Sequence, residues 1–124
     1  MASIQNALSA GLLGTALLLG SPAAATELRF LCSGIGEEAA TEEAAFPHSL
    51  KLVYAQQNGQ YLGDIAITIG RNGQTLLETV CPGPWLLANL PEGTYNLTSS
   101  FEGKTQEGQI RIGGGAPKQV TIRF

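Results

Sequence analysis

Gly83-Pro84-Trp85-Leu86-Leu87-Ala88-Asn89-Leu90-Pro91-Glu92-Gly93-Thr94-Tyr95-Asn96-Leu97 decides the fold of this chain. Two apolar, strand-like runs meet in it at a Pro-Glu-Gly turn. Pro91 supplies the fixed φ of a turn's first corner, and Gly93 is the residue able to take φ > 0. Beyond the turn, Tyr95, Leu97, Ser99 and Phe101 alternate with polar neighbours, the period of a half-buried strand. The stretch points to an antiparallel β-sandwich, with the runs on either side of Pro91 paired to each other.

The same period extends in both directions. Leu50, Leu52 and Tyr54 alternate with Lys51, Val53 and Ala55, and Ile65, Ile67 and Ile69 alternate with Ala66, Thr68 and Gly70. Asn72-Gly73 between this run and the strand-like residues 75–80 predicts a type I′ hairpin, which needs φ > 0 at both central residues. Pro82 and Pro84 remove two backbone donors within three residues and interrupt pairing there. Residues 27–32 predict a first strand, and the run through Ile110 and Ile112 a further one. The closing segment, with Val120, Ile122 and Phe124 on one side, reads as a core strand whose removal would destabilise the whole domain. One segment departs from the pattern. Glu37-Glu38-Ala39-Ala40-Thr41-Glu42-Glu43-Ala44-Ala45 is made of good helix formers ended by Pro47, and predicts one short helix that either lies across the sandwich or frays. The expected fold is all-β: an antiparallel sandwich of about seven or eight strands, with one short helix after the first strand.

Residues 1–25 read as a cleaved export signal, because residues 7–20 are apolar or small throughout and Ser21-Pro22-Ala23-Ala24-Ala25 offers small side chains at a cleavage site. That apolar run is shorter than the roughly 20 residues of a membrane-crossing helix, so no membrane insertion is expected after cleavage. Met1 to Asn6 holds no Lys or Arg, which departs from the usual export pattern and leaves a misplaced start as the rival reading. Bulky and charged residues precede Cys32, which disfavours lipidation there. Residues 26–124 are then expected to form one β-sandwich domain, periplasmic or secreted.

The chain holds 7 basic and 10 acidic residues, a net charge of −3. No basic cluster is evident, so nucleic acid is not an expected partner. Glu27, Glu37, Glu38, Glu42 and Glu43 face only Arg29 over residues 26–50, which reads first as a solvated acidic face and second as a contact site. In an exported domain the two cysteines, Cys32 and Cys81, give a single disulfide as the simplest expectation, with two unpaired buried thiols as the alternative.

Few residues are candidates for chemistry. A general base needs a nucleophile or water within hydrogen-bond reach, and none can be named for His48, which reads as a loop histidine. The paired glutamates sit in a helical run rather than among turn-forming glycines, so no metal site is expected. Gly34-Ile35-Gly36 and Gly113-Gly114-Gly115 lack a following Lys-Ser or Lys-Thr and read as loops rather than phosphate cradles. No cofactor and no catalytic residue is expected. Trp85, with Tyr61 and Tyr95, is the candidate ligand-binding set, able in principle to stack on a sugar, although a lone Trp ahead of Leu86-Leu87 also reads as a core or rim plug.

The strand, the Asn72-Gly73 hairpin, the run from Gly83 to Tyr95 and the ending Val120-Thr121-Ile122-Arg123-Phe124 together resemble the carboxypeptidase regulatory-like domains, which have a prealbumin (transthyretin-like) sandwich. The whole arrangement, with Ser33-Gly34-Ile35-Gly36-Glu37-Glu38, looks most like a group of small exported proteins of Gram-negative bacteria. The resemblance implies a fold and says little of activity, since such domains serve as rigid appendages, binding modules or adhesion modules. Two active neighbouring families do not fit. Hydroxyisourate hydrolases need several histidines and a Tyr-Arg-Gly-Ser ending, whereas this chain has His48 alone and ends Thr121-Ile122-Arg123-Phe124. Isopeptide-forming adhesin domains need an asparagine in the last strand, and residues 117–124 contain neither Asn nor Asp. The expected function is that of a non-enzymatic exported module recognising a protein or envelope component. Carbohydrate binding and a structural role in a surface assembly, which would show as self-association, are the alternatives.

Overall fold

The computed structural model describes residues 28–124; the export signal expected over residues 1–25 lies outside the described residues. Among the described residues, eight strands and one helix follow one another: β1 (Arg29–Ser33), α1 (Ala39–Ala45), β2 (Leu50–Ala55), β3 (Ile65–Arg71), β4 (Gln74–Cys81), β5 (Trp85–Asn89), β6 (Gly93–Phe101), β7 (Lys104–Ile112) and β8 (Lys118–Arg123). They form two four-stranded sheets, in the orders β8-β2-β5-β1 and β7-β6-β3-β4. This is the all-β sandwich that the alternation predicts.

The period of two places the core. Leu50, Leu52, Tyr54, Ile65, Ile67, Ile69 and Leu86 are fully buried between the sheets, joined by Ala88, Tyr95, Leu97, Ile110 and Ile112. Asn72 and Gly73 take φ of 56° and 77°, so the expected two-residue hairpin forms between β3 and β4. Glu102 and Gly103, at 49° and 81°, make a second such turn between β6 and β7.

Two pairings differ from the sequence expectation. The runs flanking Pro91 do not pair with each other: β5 lies between β1 and β2 in one sheet, and β6 between β3 and β7 in the other. Pro91 has no N–H to continue a ladder, and its carbonyl accepts a 2.5 Å hydrogen bond from the Tyr95 hydroxyl. The end of β5 is held by Ser49, whose Oγ donates to the Leu90 carbonyl and accepts from the Leu90 N–H, both at 2.8 Å. The Pro-Glu-Gly turn is therefore a crossing between sheets, not a hairpin. The second difference is at β8, which pairs parallel to β2 from Lys118↔Leu50 to Arg123↔Ala55. The glycine-rich link before it carries the chain across to the other sheet, so β8 arrives running the same way as β2.

The two lateral sides of the sandwich close differently. At one, Cys32 of β1 and Cys81 of β4 form the expected disulfide, with Cα atoms 5.3 Å apart. At the other, β8 and β7 face each other through a hydrogen bond from Gln106 Nε2 to the Arg123 carbonyl at 2.6 Å, and through Phe101 and Phe124, whose ring centroids are 5.9 Å apart.

The helix lies across the outer face of the first sheet. Leu87 is fully buried, yet its neighbours Leu86 and Ala88 fill the inter-sheet core, so Leu87 points the other way, toward α1. Val53, Ser33 and the helical Ala39 are buried in the same small compartment on that outer face. Two glutamates anchor the helix: Ser33 Oγ donates to Glu42 Oε1 at 2.6 Å, and Lys51 Nζ donates to Glu43 Oε1 at 2.9 Å.

Candidate functional site

The outer face of the first sheet gathers several residues singled out in the sequence. Trp85 opens β5 opposite Ser33 on one side and Val53 on the other. Its ring carries the Lys51 ammonium 3.7 Å from the centroid, a close cation–π contact. The Gly34 backbone, at φ 100°, packs so tightly that a Cβ there would lie 2.8 Å from Trp85 Cγ. Lys51 also pairs with Glu43, and His48 Nε2 lies 3.9 Å from the same carboxylate. The His48 Nδ1–H donates to the Phe46 carbonyl at 2.7 Å, because a carbonyl only accepts. Trp85, Lys51, Glu43 and His48 thus form one cluster that fixes α1 on the sheet. It is an anchor: Lys51 is held between the Glu43 carboxylate and the Trp85 ring, and His48 between that carboxylate and the Phe46 carbonyl.

Tyr61 pairs with Ala55 in an isolated bridge at the same end of the first sheet as Trp85, and is 67 % exposed. Tyr95 is elsewhere, buried in the core at the opposite end, with its hydroxyl on Pro91. The structure therefore brings Trp85 and Tyr61 to one end of one sheet and separates Tyr95 from both. Glu37 and Glu38 remain exposed ahead of α1, while Glu42 and Glu43 are the anchors already described. Sequence alone gives these four acids one character; only their contacts divide them.

The lateral side between β7 and β8 is built differently. A cleft of about 120 Å³ opens there, with Leu97, Ile110, Val120 and Ile122 as an apolar floor and Gln106, Glu107 and Gln109 at the rim. Both lips are edge strands, β8 of one sheet and β7 of the other, so each presents a row of backbone groups without a strand partner. Gly108 lies opposite Leu97 on β7, at the inward-facing position where a side chain would close the cleft, and a Cβ there would meet nothing within 4 Å. A glycine inside a strand commonly marks a close approach by another backbone or a ligand. The edges are also basic. Lys104, Arg111, Lys118 and Arg123 are exposed on the two strands against Glu107 alone. The sequence reading sees no basic cluster because these four residues are spread over 20 positions and only the pairing topology gathers them.

The cysteines and the buried tyrosine of the core are committed. Both cysteines are in the disulfide. The Tyr54 hydroxyl, pushed up to about 12 by burial and partly restrained by its bond to Ser99, stays neutral across the physiological range. Among the described residues, no three His, Cys, Asp or Glu side chains come together as metal ligands, and no helix is long and apolar enough to cross a membrane. No protein-family model matches the chain, and no curated protein matches it.

Proposed function

We propose that this chain is an exported, non-enzymatic binding module that takes an extended segment of another protein along the β7–β8 side of its sandwich. The observation that carries the reading is the cleft itself: two free edge strands, an apolar floor and a strand glycine that leaves the inward position open. An added strand would gain main-chain hydrogen bonds from an edge and specificity from alternate side chains dropped into the cleft. The excess of Lys104, Arg111, Lys118 and Arg123 over Glu107 fits a segment whose outward residues are acidic. Export is supported by the apolar amino-terminal run and by the disulfide, a bond that persists in oxidising compartments. The two-sheet architecture is compatible with the prealbumin-like sandwich of the carboxypeptidase regulatory-like domains, which supports placing the chain near them.

The test uses Gly108→Leu. A side chain at this exposed strand position meets free space, so the fold is retained while the cleft is filled. Synthetic peptides alternating valine with glutamate or with lysine are titrated into both proteins by calorimetry. The reading expects the acidic peptide to bind the unaltered chain, the basic peptide to bind far less, and Gly108→Leu to abolish binding. Equal binding by the variant, or no preference for acid, would sink it.

A further inference from the structure

At the end of the sandwich where Tyr95 lies, a separate pocket of about 250 Å³ is lined by Leu28, Leu76, Pro91 and Tyr95, with Arg71, Asn72 and Gln74 as its polar side chains. A bulge makes the wall. Ile69 pairs with Leu77 and Gly70 with Thr75, so Leu76 is the extra residue on β4, and it packs against the core beside the buried Leu77. Arg71 is the anomaly. It closes β3 two residues after Ile69, so its side chain leaves the inner face of the sheet. There the guanidinium carbon stands 5.3 Å from the Tyr95 ring centroid. The group also lies against Gly93, where a Cβ would approach it to 2.8 Å. It is half-buried and has no carboxylate within ion-pair distance among the described residues. Removing a cation from water toward an apolar wall is costly unless an anion meets it.

We propose that this pocket binds a carboxylate carried on a small apolar body, with the Arg71 guanidinium gripping the carboxylate and Leu28, Leu76 and Pro91 taking the body. A planar guanidinium, set in place by a ring and a glycine, presents paired donors matched to the two oxygens of a carboxylate. The volume suits a short aliphatic acid or the last residue of a peptide chain, both of which carry that chemistry. The site stands apart from the β7–β8 cleft and does not depend on it.

The probes are hexanoate, hexanol, and the peptide Ala-Ala-Leu with a free or an amidated carboxyl end, titrated into the purified chain while amide resonances of residues 71–76 and of Gly93 are followed by NMR. The expected result is saturable shifts with hexanoate or the free-carboxyl peptide. Hexanol and the amidated peptide should bind at least about tenfold more weakly, the loss of one charge-assisted contact. Whichever of the two acids binds more tightly identifies the source. Arg71→Gln should lower that affinity by about tenfold with the thermal midpoint little changed. The comparison of charged with neutral probes on the unaltered protein holds even if that variant folds poorly. Equal binding of acid and neutral probes, or no shift at millimolar concentrations, would overturn the assignment. Binding seen only after Glu27→Gln would overturn it too, since the guanidinium would then be matched from within the chain.

Discussion

The hydroxyls of Tyr54 and Ser99 lie 2.6 Å apart in the middle of the core, joining β2 of one sheet to β6 of the other. Both residues are almost completely buried, and no other side-chain partner serves the Tyr54 hydroxyl among the described residues. Ser99→Ala should therefore cost about 1–3 kcal/mol, the desolvation of a buried hydroxyl left alone. Adding Tyr54→Phe removes the stranded group and should recover much of the loss. A double-mutant cycle in urea measures the coupling.

The same tyrosine sets an alkaline limit. Its hydroxyl is raised by burial from 10.0 to about 12, so the folded state keeps a proton that the unfolded chain releases first. Its contribution to stability is complete below pH 10 and is lost as pH rises toward 12. Unfolding free energy should fall across that window and fall less in Tyr54→Phe. Absorbance titration should show a late tyrosine ionisation that disappears in Tyr54→Phe.

Reduction of Cys32–Cys81 opens the one covalent closure of the sandwich, across a separation of 49 residues. The chain-entropy relation puts the loss at about 4 kcal/mol. Denaturation of the oxidised chain beside Cys32→Ser/Cys81→Ser should show the midpoint drop. An unchanged midpoint would mean that the core alone holds the β1–β4 side.

Gly34 takes φ 100° against the face of Trp85. Gly34→Ala forces a Cβ to within 2.8 Å of the indole and strains the backbone, so it should destabilise by about 1–3 kcal/mol. The chain has one tryptophan, so its emission reports the site directly. A red-shifted spectrum with retained far-UV dichroism is the expected signature.

Phe124 ends the chain but packs on Phe101, and its backbone bonds Ala55 through N–H and Gln57 through the carbonyl. Phe124→Ala should cost about 2 kcal/mol, roughly half of a fully buried phenylalanine. Thermal unfolding checks it, and a change within error would show the packing of Phe124 on Phe101 to be dispensable.

Much of this was legible in the chain. Leu50, Leu52 and Tyr54, or Ile65, Ile67 and Ile69, declare their inner face by spacing alone, and Asn72-Gly73 declares its turn by the φ values that it tolerates. The candidate sites were less so. Trp85 reads as a platform or a plug until Lys51 and Gly34 are found on it, and Glu43 reads as solvated until Lys51 reaches it. Gly108 and Arg71 carry no motif; each matters through what lies opposite it.

Alternation belongs to each strand by itself, because successive side chains point to opposite faces whatever the neighbours are. The sequence could therefore determine the strands, the core residues and the tight turns. Pairing depends on backbone groups that are alike at every residue, and on which distant segment arrives beside them. So only the tertiary structure decided that β5 and β6 part company at Pro91 and that β8 lies parallel to β2. It alone decided, too, that one side of the sandwich is stapled while the other stands open.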